Sequence, residues 1–281
     1  MSTATVTATR HSAGQDRAVE HHKVTQGRVL VSEWIKLRSL RSTYWTLAVA
    51  VVFMAGLGLL FCAVAASQWD TISAGDAADF DAPAVSMSGI YLAQLAVVTL
   101  GVLVMTGEYS TGMIRATLTA VPRRLPVLWA KVAVFGAVTF VVLGAATLVA
   151  FLGGQALLSS VHAGASLGDP GVARAVLGAV LFLAVMGVFG VGLGGVVRNT
   201  AGSLAIVFGV LFVLPIVVAV LPGGWNTLVS PYLPGNAGMA VMARTHDANT
   251  LAPWSGFALF CGYVAVVVGA AALLLKTRDA A

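Results

Sequence analysis

Six runs of about twenty predominantly apolar residues constrain this chain more than any other feature. They lie at about 44–66, 88–106, 127–152, 174–197, 201–221 and 254–275, each long enough to cross the hydrocarbon core of a bilayer as a helix. Only 10% of the residues are charged, against about 25% in a typical soluble domain. The sequence therefore predicts an all-α integral membrane protein with six transmembrane helices.

The basic residues gather on one side of this predicted bundle. Of the 16 lysines and arginines, only Arg174 and Arg244 fall in connections on the opposite side. That side instead collects the acidic residues Asp70, Asp76, Asp79, Asp81, Asp169 and Asp247. Because cytoplasmic loops carry the excess of Lys and Arg, we expect both termini in the cytoplasm and a multi-pass protein of the plasma membrane. Topology also accounts for the net charge of +5, so we expect no nucleic-acid partner.

The part of the chain before the first span divides into two segments. Residues 1–27 are rich in Thr, Ala, Ser and His and have no apolar run, which predicts a disordered cytoplasmic tail. Residues 28–41 predict an amphipathic helix, and residues 42–281 the transmembrane domain. One face of the helix holds Arg28, Ser32, Lys36 and Ser39, and the other holds Leu30, Val31, Trp34 and Leu37. We expect it to lie at the membrane interface with its cations toward anionic headgroups, on a surface that a partner could share.

A second short cytoplasmic helix is predicted between the second and third spans. Ser110 or Thr111 can cap it, and Pro122 ends it. The residues that recur at helical spacing on one face are Met113, Ile114, Thr117, Leu118 and Val121, which makes the helix amphipathic. Glu108, at the exit of the second span, has two open interpretations: it pairs with Arg115 or Arg123 at the water boundary, or it presents a charge to a cytoplasmic partner.

Two features predict how the helices pack. Gly190 and Gly194 in the fourth span form a small-xxx-small pattern, which favours close approach of helices within the bundle over a dimer face. Pro215 predicts a kink in the fifth span.

The sequence contains no recognisable catalytic or nucleotide-binding motif. None of its four lysines follows a glycine, so it has no P-loop, and HExxH, CxxC and GxSxG are absent. We therefore expect a protein that is not an enzyme and binds no metal or cofactor itself. The interiors of the spans carry no charge, which argues against a proton relay. Gln94 is the one span amide that we single out as a possible pathway residue.

Three segments resemble the permease subunits of bacterial type-2 ABC exporters. They are the entry helix EWIKLRSLRSTYWT at 33–46, the connection GEYSTGMIRATLTAVPRRL at 107–125, and the turn GLGGVVRNTAGS at 192–203. The start of the third span and the Pro- and Trp-containing connection at 221–239 are also similar. The string Gly-Glu-Tyr-Ser-x-Gly-x-x-Arg carries most of the resemblance, which covers roughly residues 28 to 278.

The resemblance implies a translocation pathway driven by a separate nucleotide-binding ATPase, which would bind ATP and Mg. It implies that a coupling helix faces this ATPase through Glu108, Tyr109, Met113, Ile114 and Arg115. It also implies that the family's connecting helix includes Glu33, Trp34, Lys36 and Arg38. Two such subunits, identical or different, would form one pathway in the lipid bilayer, with short helices between the fifth and sixth spans covering it.

Two alternatives remain open from the sequence. One is a polytopic membrane enzyme acting on lipid-like substrates, for which the aspartates between 70 and 81 are the candidate catalytic grouping. The other is a structural membrane protein without transport activity.

Overall fold

The computed structural model describes residues 25–71, 73–113, 124–222, 224–244 and 250–277. Within these ranges all regular secondary structure is helical, with no strand. An N-terminal helix, Gln26–Ser39, is separated from the first span by Leu40, whose extended backbone breaks the helix. The predicted tail 1–27 and the end of the predicted coupling helix therefore lie almost entirely outside the described residues.

Six helices are long and apolar enough to cross a membrane, which confirms the predicted fold class. In chain order, spans 1 to 6 are Arg41–Ser67, Ile90–Ser110, Leu125–Ser159, Val172–Val197, Thr200–Ala219 and Pro253–Thr277. Short helical segments join spans 1 and 2 and spans 5 and 6. They are Trp69–Thr71, Ala74–Ala78 and Ala82–Ser86 in the first connection, and Trp225–Val229, Ser230–Tyr232, Pro234–Met239 and Ala240–Met242 in the second.

Span 4 forms the centre of the bundle. Its most apolar window is 78% buried, against 17% for span 5, and span 4 packs against spans 2, 3 and 6. Gly190 of span 4 lies against the backbone carbonyl of Val98 in span 2, and Gly194 lies against Val102 and Met105. The predicted small-residue pattern thus brings two helices of the same chain together.

Span 3 is longer than its hydropathy predicts. The apolar run weakens near Leu152, but the helix continues to Ser159. It continues because this turn is packed and bonded: Gly154 lies against Cys62 and Ser86, and the Gln155 amide donates a hydrogen bond to Ser86 Oγ at 2.7 Å. A polar contact between helices, invisible to a hydropathy window, sets this boundary.

Span 5 contains a π-helical turn at Gly209–Val213, directly before Pro215. Proline cannot donate the backbone hydrogen bond expected at its position, and a π turn is one way in which a helix accommodates that loss. The disturbance predicted from Pro215 therefore occurs as a π turn. Span 1 has a second π turn, Val52–Leu57, which no proline in the sequence predicted.

Candidate functional site

The two ends of the bundle differ in charge. We call the end that carries Lys36, Lys131, Arg198 and Lys276 the basic end, and the opposite end, which carries Asp70, Asp81 and Asp169, the acidic end. At the basic end Arg198 donates to the carbonyl of Leu274 in span 6 at 3.0 Å. Its guanidinium also lies 5.2 Å from the ring centre of Tyr109 in span 2.

The N-terminal helix packs against the basic end of span 3. Val29, Glu33 and Leu37 are its buried residues, and they share one face because they are spaced four residues apart. Val29 packs with Val127 and Ala130 at the start of span 3. This contact holds the Glu33 carboxylate over the end of the bundle.

Four charged side chains meet there in one buried ionic cluster. Lys131 Nζ lies 2.7 Å from Glu33 Oε2 and 2.9 Å from Glu108 Oε1. Lys36 Nζ lies 2.7 Å from Glu33 Oε1 and 3.0 Å from Glu108 Oε1. Glu33 and Lys36 belong to the N-terminal helix, Glu108 to the last turn of span 2, and Lys131 to the beginning of span 3. The cluster therefore joins three separate elements.

The burial of these groups makes the pairing obligatory. Glu33 and Lys131 are each 4% exposed and Glu108 is 7% exposed. An isolated ion in such a place would be costly, whereas two carboxylates and two ammonium groups at hydrogen-bond distance balance each other. Removing any one charge would leave another buried without compensation.

The pKa of Lys36 is raised above its ordinary value. Partial burial by itself would lower it, but the hydrogen bond and charge of Glu33 and the charge of Glu108 outweigh that effect. Since the folded-state pKa is the higher one, the stabilisation is fully present below the unfolded value of about 10.5 and is lost as pH rises through the folded value.

We therefore expect thermal stability to fall as the pH is raised above about 10.5, with part of that fall belonging to Lys36. Melting temperatures measured between pH 8 and 12 in the chain and in Lys36→Met test this. The melting temperature of the variant should be lower at pH 8, and it should fall less than that of the unmodified chain as the pH rises to 12. Parallel curves in the two proteins would contradict the assignment.

The structure brings together some of the residues singled out from the sequence and leaves others apart. Glu33, Lys36 and Glu108 meet in the cluster, whereas Trp34 and Arg38 lie on the exposed side of the N-terminal helix. Tyr109 is half-buried beneath Arg198 and Met113 is exposed. Ile114, Arg115 and Arg123 lie outside the described residues.

One prediction for the N-terminal helix is wrong. Lys36 does not extend outward on a polar face. It turns inward, where its ammonium group pairs with the buried carboxylates of Glu33 and Glu108. The outward surface is mixed: the apolar residues Leu30, Val31, Trp34 and Ile35 are each more than a third exposed, and the polar residues Arg28, Ser32, Arg38 and Ser39 are exposed beside them.

Sequence reasoning missed Lys131 as a site residue and counted it only as a topology signal. A signal was present: it is the one lysine inside the predicted apolar run 127–152. A lysine at such a position is costly unless a carboxylate is near, and that cost predicts a partner such as Glu108.

Gln94 is distant from this cluster. Fourteen residues along span 2 separate it from Glu108, or roughly 20 Å at 1.5 Å per residue. It is 6% exposed, its amide donates weakly to the carbonyl of Tyr91 at 3.3 Å, and its Oε1 has no hydrogen-bond partner among the described residues. A pathway role for Gln94 stays a prediction.

Two aspartates of the acidic end, Asp76 and Asp81, contribute to local structure. Asp81 pairs with Arg244 at 3.1 Å and accepts from the backbone of Ala84 at a helix start. Asp76 accepts a hydrogen bond from Ser73. Among the described residues no three His, Cys, Asp or Glu side chains are grouped so that they could hold a metal ion. The membrane-enzyme alternative stays a prediction.

Comparison of the sequence with protein-family models and with curated proteins finds no match. The functional argument therefore depends on the geometry of the basic end together with the motif at 107–115.

Proposed function

We propose that this chain is the membrane-spanning permease subunit of an ABC exporter, driven by a separate ATPase. The observation that carries the proposal is the ionic cluster. It ties the N-terminal helix and spans 2 and 3 together at the point where the segment after Glu108 leaves the bundle. A displacement of that segment would be passed to all three elements, as a coupling element requires.

The absence of an internal energy source supports the same proposal. Apart from residues within two turns of their ends, the six spans carry no Asp, Glu, Lys, Arg or His, so a chain of titratable groups through the bundle is not available. The charge instead lies at the basic end, where a soluble partner can act. We propose that this partner supplies ATP, Mg and the hydrolytic step, and that a second permease subunit completes the pathway.

The same proposal assigns the orientation. Lys36, Lys131, Arg198 and Lys276 meet at one end of the folded bundle, and the positive-inside rule would place that end in the cytoplasm. Both termini would then be cytoplasmic and the membrane would be the plasma membrane. The short helices between spans 5 and 6 would face the outside.

Co-purification with the neighbouring gene product tests the proposal. The candidate ATPase is a soluble protein with GxxxxGK[ST] encoded beside this gene, co-expressed with a tagged copy of the chain. Met113 is 46% exposed, so Met113→Asp should retain the fold while placing a charge on the surface offered to the ATPase. We expect at least tenfold less co-purified ATPase, because a buried unpaired charge at an interface costs several kcal/mol.

The matched control is Met113→Leu, which should keep full yield, and deletion of residues 111–121 should abolish co-purification. Melting temperatures of the purified variants separate misfolding from lost contact. Full ATPase yield with both Met113→Asp and the deletion would refute the coupling assignment. A gene neighbourhood without such an ATPase would remove the proposed energy source.

A further inference from the structure

A cavity of about 270 Å³ lies beside the ionic cluster. Its walls come from the N-terminal helix, the start of span 1, and spans 2 and 3. Most of the lining is apolar and includes Leu37, Leu40, Leu103, Val104, Val134 and Phe135. Leu40 and Met113 line the cavity and are each nearly half exposed, so it opens to the surface of the protein. An apolar chain entering from that surface would meet the charged groups at its inner wall.

One polar atom of a residue in that wall is unsatisfied. Glu108 lines the cavity and is 7% exposed. Its Oε1 accepts hydrogen bonds from both Lys36 and Lys131. Its Oε2 is buried and has no hydrogen-bond partner among the described residues. A buried carboxylate oxygen without a donor is costly, so a ligand that supplies one donor would be favoured.

The charge balance decides the kind of donor. Two glutamates and two lysines already neutralise one another within 3.0 Å. A charged head would add an uncompensated ion to this buried place, whereas a neutral hydroxyl would add only the missing hydrogen bond.

We propose that the cavity binds a neutral amphiphile with a hydroxyl head, such as a long-chain alcohol or a monoacylglycerol. The hydroxyl donates to Glu108 Oε2 and the alkyl chain lies along Leu103, Val104 and Phe135. The binding surface belongs to this chain alone, so the proposal does not depend on the ATPase partner.

Gly107 offers a way to fill the cavity. It lies in the lining, and a Cβ atom added there would meet nothing within 4 Å. Gly107→Phe should therefore occupy part of the space with an aromatic ring. Gly107→Ala makes the same backbone change without filling the cavity and is the matched control.

Photolabelling of the purified chain in phosphatidylcholine nanodiscs tests the proposal. The probe is decan-1-ol with a diazirine in its chain, and mass spectrometry locates the label. We expect label in the peptides covering 103–113 and 131–135, and at least tenfold less of it in Gly107→Phe than in Gly107→Ala. Unlabelled decan-1-ol should compete at least tenfold better than decyl methyl ether, which has the same chain but no donor.

The competition series uses the unmodified chain, so it decides the question even if Gly107→Phe fails to fold. Equal competition by the alcohol and the ether would overturn the assigned hydrogen bond. Label spread evenly over the lipid-facing spans would overturn the site itself. Neither result would affect the co-purification experiment, which tests the transport proposal separately.

Discussion

Lys131→Met is expected to destabilise the bundle by about 3–5 kcal/mol, the usual result of removing one partner from a buried ion pair. Lys131 contacts both Glu33 and Glu108, so its loss leaves two carboxylates facing Lys36 alone. For a chain of this size each kcal/mol lowers the melting temperature by about 2 °C. A fall of roughly 6–10 °C should be measurable by thermal unfolding in detergent.

The matched control is Lys276→Met, which removes an exposed lysine at the same end of the bundle and should shift the melting temperature by less than about 1 °C. Combining Lys131→Met with Glu108→Gln restores the balance of charge and should recover part of the loss. If Lys131→Met and Lys276→Met have the same melting temperature, the cluster does not hold these helices together.

Gly190→Ala is expected to be nearly as damaging, although it adds a single methyl group. Its Cβ would run into the backbone carbonyl of Val98 in span 2. A main-chain atom cannot rotate away as a side chain can, so spans 2 and 4 would have to separate along the most buried contact of the bundle. We expect a cost of about 3 kcal/mol, the upper part of the range for overpacking, and a melting temperature lower by roughly 6 °C.

Gly262→Ala in span 6 provides the comparison, because a Cβ there meets nothing within 4 Å. Alanine is the better helix former by roughly 0.5–1 kcal/mol, so this variant should melt at the same temperature or slightly higher. Equal melting temperatures of the two variants would mean that Gly190 does not lie against the Val98 carbonyl, and that spans 2 and 4 are not closely packed there.

Lys131 and Lys276 show where sequence reasoning about this protein stops. Both count equally as basic residues that assign one side of the bundle, and both do lie at the same end of it. The position of Lys131 inside an apolar run predicts a carboxylate partner, but only the fold identifies Glu33 and Glu108 as its partners and leaves Lys276 exposed. Those partners lie 98 and 23 residues away along the chain, and no periodicity within one helix encodes such a distance.

The six spans themselves were determined by the sequence alone. A run of about twenty apolar residues has one stable form in lipid, a helix that satisfies its own backbone hydrogen bonds, so length and hydropathy suffice. The Gly190 and Gly194 pattern likewise predicted close packing within the bundle. Which helix they meet was decided by the fold, because many apolar faces satisfy the same pattern.

Tertiary structure alone decided the ionic cluster and the cavity beside it. The helical periodicity of the N-terminal segment assigned Lys36 to an outward polar face, and the fold turned it inward because pairing two buried carboxylates outweighs hydrating one ammonium group. Sequence defines a helix and its faces by local spacing. Which face is buried depends on what the rest of the chain places against it. Here the charged groups placed against it are Glu108 of span 2 and Lys131 of span 3.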